Sequence, residues 1–176
     1  MSRRPRAGGG PRHLGRDERA VEKNGISILE ARRRVESPAM KKWLLAFLAG
    51  FLATLVFHQP VLWLLHLAGV TQRMPYAMKP VPPFGVPSVI SLAFWGGVWG
   101  IVMIAAIGRA KAFYVLSAIF GAILPTLVAA FIIVPLRHIP MTGNKVTLLA
   151  IGLAVNAAWG LGTAVLYRLF MRGRRA

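Results

Sequence analysis

The sequence predicts an all-α fold: a polytopic membrane protein of four transmembrane helices, N-in/C-in, preceded by a basic, disordered N-terminal tail. Three observations carry that expectation. Of 176 residues, 56% are hydrophobic and 15% charged, against about 25% charged in an ordinary soluble domain. All five acidic residues, Asp17, Glu18, Glu22, Glu30 and Glu36, stand in the first 36 positions, together with ten of the 22 Lys and Arg. The other twelve basic residues fall in short groups between long uncharged runs, the pattern of spans and connecting loops.

That distribution also sets aside function classes. A net charge of +17 read alone suggests phosphate recognition on a nucleic acid, but the basic residues cluster at span ends, and no nucleic acid is expected as a partner. The sequence has no cysteine, which excludes disulfide-oxidase chemistry and thiolate metal sites.

Residues 1–39 read as a polar tail containing Gly8-Gly9-Gly10 and Arg32-Arg33-Arg34. Such a composition buries too little apolar surface to fold alone. A rival reading starts translation at Met40, because Met40-Lys41-Lys42 directly before an apolar run resembles a natural membrane-protein start. The transmembrane domain is expected over residues 40–172.

Residues 43–72 carry no formal charge, too long a stretch for one straight span, since about 20 residues cross the hydrocarbon core. Pro60 removes one backbone hydrogen bond, so the expected span is 43–59 with a kinked extension over 61–68. No small-x-small cleavage site follows, and the segment reads as a retained helix rather than a signal peptide. Residues 71–87 hold Pro75, Pro80, Pro82, Pro83 and Pro87 and read as an extended, polyproline-like loop. The further spans are expected at 86–107, 112–136 and 146–167, each free of Lys, Arg, Asp and Glu.

Helices in lipid associate through close packing at small residues. Ala46, Gly50, Thr54 and His58 recur at steps of four in the first span. Gly97 and Gly100 in the second, Gly121 in the third, and Gly152, Asn156 and Gly160 in the fourth complete the expected packing faces. Asn156 must face another helix, because an unpartnered amide in hydrocarbon costs several kcal/mol; Thr54, at similar depth, is the candidate partner. Thr54, Ser88, Ser91, Ser117, Thr126 and Thr163 read as bonding to carbonyls one turn earlier. His58, His66 and His138 reach the same membrane level in the N-in arrangement and form a candidate metal or pH-sensing cluster. Against it, the step from 58 to 66 does not set two ligands adjacent on a helix, and no carboxylate completes the shell.

No span pairs a nucleophile with a base, and no phosphate-cradling loop or paired carboxylates appear, so no enzyme activity and no cofactor are expected. The small multidrug exporters share the size class but depend on a membrane glutamate missing here. Membrane glutathione-transferase-like enzymes share the four-span plan, but their charged helix residues have no counterpart.

Residues 51–59 (FLATLVFHQ), 80–87 (PVPPFGVP) and 92–100 (LAFWGGVWG) together resemble a group of uncharacterised small bacterial inner-membrane proteins, over about residues 40 to 170. The resemblance implies four spans and carries no activity, ligand or catalytic residue. The expected role is structural or interactive, through helix packing, self-association or a membrane partner protein; the alternative is a subunit of a small transporter or channel. The basic tail and C-terminus are expected to favour anionic lipid.

Orientation follows from the basic residues beside the spans. One side collects Lys41, Lys42, Arg109, Lys111, Arg168, Arg172, Arg174 and Arg175, and the other Arg73, Lys79, Arg137 and Lys145, eight against four. A reporter fused after Ala176 is therefore expected in the cytoplasm and one inserted near Tyr76 outside it. An exported C-terminal reporter would overturn the orientation.

Overall fold

The computed structural model describes residues 38–136 and 144–173. Residues 42–176 form one compact unit; of the other, residues 1–41, only the first turn of a helix is described. The expected disorder of the tail lies outside the described residues, as does His138.

Among the described residues, four helices are long and apolar enough to cross a membrane: α1, Ala39–Leu67; α2, Ser88–Ile107; α3, Phe113–Leu136; and α4, Lys145–Arg172. The shortest has 20 residues, about 30 Å at 1.5 Å per residue, which matches the hydrocarbon thickness. α1 runs through Pro60 to Leu67, over the extension expected from the sequence. It continues as one helix whose turn at Thr54–His58 is π-helical.

Three of the helix ends have an identifiable stop or start. α1 ends at Gly69, whose φ of +70° suits glycine. There the Val70 amide donates to the Leu65 carbonyl and the Gly69 amide to that of His66, each at 3.0 Å, the paired bonds of a Schellman motif. At the start of α2, the amides of Ser88 and Val89 donate back to the carbonyls of Lys79 (2.9 Å) and Ala77 (3.1 Å), occupying donors that a helix N-terminus otherwise leaves open. At the start of α4, the Asn144 side chain accepts from the Val146 amide at 2.8 Å, an N-cap.

The proline-rich connection is not wholly extended coil. Pro80–Val81 (β1) pairs antiparallel with Val86–Pro87 (β2), Pro80 opposite Pro87. Proline is tolerated because a two-stranded ribbon has only edges. Gly85, with φ +65°, makes the reversal.

The helices meet where side chains are smallest. A Cβ placed on Gly50 falls on the Gly96 carbonyl oxygen and lies 3.0 Å from the Gly100 Cα; one placed on Gly100 lies 2.6 Å from the Ala46 carbonyl oxygen. The register, with Ala46 at Gly100 and Thr54 at Gly96, is antiparallel. α3 and α4 cross in the same way: a Cβ on Gly121 meets the Asn156 carbonyl oxygen, and one on Gly160 meets that of Ser117. Gly97 receives the Phe47 ring, Gly162 the Phe57 ring, and Gly152 the Thr126 methyl.

Around these crossings lies the core of Ala46, Ala49, Ala53, Met103, Ile104, Phe113, Trp159, Ala164 and Tyr167. Trp159 is 2% exposed and its indole N–H donates to the Gly50 carbonyl at 2.9 Å, joining α4 to α1. Trp63 and Trp95 instead are exposed.

The hydroxyls divide. Thr54, Ser117 and Thr163 donate to carbonyls four residues earlier, those of Gly50, Phe113 and Trp159, at 3.0, 2.7 and 2.8 Å. Ser88 instead donates to the Ala77 carbonyl in the loop, and Thr126 accepts from Asn156 Nδ2 at 2.9 Å. The expected Asn156–Thr54 pair is thus corrected. Thr54 is engaged within α1 and against Gly96, whereas the α3–α4 crossing brings Thr126 beside Asn156.

Because the atoms opposing Gly50 and Gly160 are backbone, they cannot swing aside. Gly50→Ala and Gly160→Ala are each expected to destabilise by about 1–3 kcal/mol through overpacking, less whatever alanine's helix propensity returns, up to about 1 kcal/mol. Gly173→Ala, whose nearest contact is an ordinary 3.8 Å, serves as control. Unfolding of each variant in mild detergent, followed by helical circular dichroism, checks the ranking.

Candidate functional site

The most unusual local structure among the described residues is the π turn of α1 and the loop that closes over it. A π turn places each N–H five residues after its carbonyl and recurs at functional sites. Here the Gln59 amide donates to the Thr54 carbonyl. The next donor along that ladder would belong to residue 60, and proline has none. The Leu55 carbonyl is left without a partner in its own helix.

Tyr76 supplies one. Its hydroxyl donates to the Leu55 carbonyl at 2.9 Å, and its amide donates to Gln59 Oε1 at 2.7 Å. Both bonds reach from the loop, 21 and 17 residues away, to the same turn. Tyr76 adopts a φ of +50°, uncommon for any residue but glycine and of real cost for a bulky one. The two hydrogen bonds hold it there. A second π turn, Ala129–Ile133 in α3, repeats the arrangement: the Val134 amide donates to the Ala129 carbonyl, and Pro135 follows. Among the described residues, no side chain donates to that second turn.

Of the three candidate histidines, His58 and His66 are among the described residues, and their surroundings differ. His58 ends the first π turn at 9% exposure, and its Nδ1 is buried without a hydrogen-bond partner among the described residues. His66 is engaged in its own loop, with Nδ1 3.0 Å from the Thr71 carbonyl oxygen. Since a carbonyl only accepts, this contact selects the tautomer with the proton on Nδ1. Thr71 itself is buried and its hydroxyl accepts from the Arg73 amide at 3.2 Å. Among the described residues no three His, Cys, Asp or Glu side chains gather as a metal site.

The arrangement is a buried imidazole with one open nitrogen, next to Gln59, itself 3% exposed, under a strapped loop. In one tautomer Nδ1 accepts a hydrogen bond and in the other it donates one; among the described residues no ligand shell surrounds it. From the sequence Pro60 and His58 stand out, and Tyr76 reads as an interfacial anchor of the loop; its bonds to α1 depend on the π register and are not legible there. Pro135 does not stand out, although its signal is available in the repeated spacing of a proline two residues after the turn.

The link between Tyr76 and Pro60 is measurable by a double-mutant cycle. In the wild-type background, Tyr76→Phe is expected to cost about 0.5–1.5 kcal/mol, the net worth of a hydrogen bond. In a Pro60→Ala background, where residue 60 regains its N–H, the same change is expected to cost clearly less. Equal costs in both backgrounds would sever the two residues. No protein-family model, curated protein or solved structure matches this chain.

Proposed function

We propose that this chain is a small multi-pass protein of a bacterial inner membrane, N-in/C-in, whose role is structural or interactive through helix packing or self-association. The observation that carries the reading is where the polar side chains of the helices go. Thr54, Ser117, Thr126, Asn156, Trp159 and Thr163 all bond within the bundle, and at the glycine crossings the helices leave no room for a Cβ. Such a bundle favours holding a shape over lining a path. Orientation is supported by the eight-to-four division of basic residues, and the inner membrane by the sequence resemblance.

α3 is the least buried of the four helices, with 17% of its most apolar window covered. It exposes Val115, Ile119 and Ile123, an apolar face for lipid, for a second copy or for a partner's helix. A second reading, a subunit of a small transporter or channel, draws on the open Nδ1 of His58, because an ionisable group inside a span is a functional candidate.

Purification in a mild detergent with mass measurement separates the two. The structural reading expects an assembly larger than one chain, or a co-purifying membrane protein, and cross-linking through residues introduced at Ile119 and Ile123. It also expects His58→Phe to leave that assembly intact. A monomer that co-purifies nothing and conducts ions or solute after reconstitution, with conduction lost in His58→Phe, would replace it with the second reading.

A further inference from the structure

Where the start of α1 meets the end of α2, Lys42, Trp43, Ile104, Ala105, Ala106 and Arg109 line a cavity of about 530 Å³. Lys42 is half-buried, its Nζ 4.4 Å from the centre of the Trp43 ring. Arg109 stands exposed two residues beyond the end of α2. The described residues contain no acidic side chain, so no described carboxylate neutralises either cation. Arg168, another basic side chain at this end, lies 4.7 Å over the Phe113 ring and does not line the cavity.

We propose that this cavity binds the phosphate headgroup of an anionic glycerophospholipid. Arg109 offers a planar fork suited to two phosphate oxygens and Lys42 a point charge beside it. The Trp43 indole is of the amphipathic kind that settles at headgroup level. A lipid fits better than a free anion because the cavity opens at the ends of two membrane-length helices. Leu44 and Val102 are exposed within the same turns, available to acyl chains. The site goes beyond general attraction of a basic tail to the bilayer surface and does not depend on which way the chain faces.

The test uses the full chain in phosphatidylcholine nanodiscs, titrated with phosphatidylglycerol and read by native mass spectrometry after release. Wild type is expected to retain phosphatidylglycerol over phosphatidylcholine. Lys42→Gln/Arg109→Gln is expected to weaken that retention about thirtyfold, the weight of two cations at an anionic surface. Arg73→Gln/Lys79→Gln, in the proline-rich loop, is expected to bind as wild type. Lys42→Arg/Arg109→Lys keeps both charges and is expected to retain the lipid, separating lost charge from lost fold. Wild-type retention by the double Gln variant, or equal retention of the two lipids, would overturn the site. Displacement by inorganic phosphate at matched concentration would assign the cavity to a soluble anion. Replacing Asp17, Glu18, Glu22, Glu30 and Glu36 by their amides is expected to change nothing. A gain in lipid affinity of about tenfold or more would instead make the chain's own acidic segment the occupant.

Discussion

The bundle depends on how closely other groups approach the Gly50 backbone. The Gly50 carbonyl accepts from the Thr54 hydroxyl and from the Trp159 indole, while the Cα side of the same residue faces the backbone of Gly96 and Gly100. One residue without a side chain therefore serves α1, α2 and α4 at once. Between helices in lipid there is no hydrophobic drive, and short backbone separations are what make dispersion and dipole contacts sufficient. Gly121 and Gly160 do the same for α3 and α4. Trp159 stands one residue before Gly160, so the indole bond to α1 and the α3 crossing are built on the same turn of α4.

The stripe of Ala46, Gly50, Thr54 and His58 was legible because a step of four returns to nearly the same helix face. All four are buried. The partner of each face was not legible, since periodicity describes one helix at a time. Thr54 and Thr126 look equivalent to Asn156 by depth, and only the antiparallel register of α3 and α4 selects Thr126. The loop was legible as non-helical from its prolines, but β1 and β2 are two residues each, too short for an alternating pattern to register.

Pro60 shows the limit differently. A proline predicts a lost hydrogen bond correctly and its remedy poorly, because the remedy is tertiary. The helix widens by one residue at Thr54–His58, and the carbonyl left over is taken by Tyr76, in a segment with no helical pattern of its own. Likewise, the level shared by His58 and His66 could be counted along the chain. It did not follow that they face each other, because the tight end of α1 at Gly69 brings the Thr71 carbonyl to His66 first.

The Tyr76 strap has a consequence for biogenesis. In hydrocarbon an unpaired carbonyl costs several kcal/mol, and the group that pairs with Leu55 is made 21 residues later in the chain. A first helix released into lipid before Tyr76 has been synthesised carries that open group with it. The backbone of the first helix is therefore satisfied only once the chain has passed Tyr76 and turned back to begin α2.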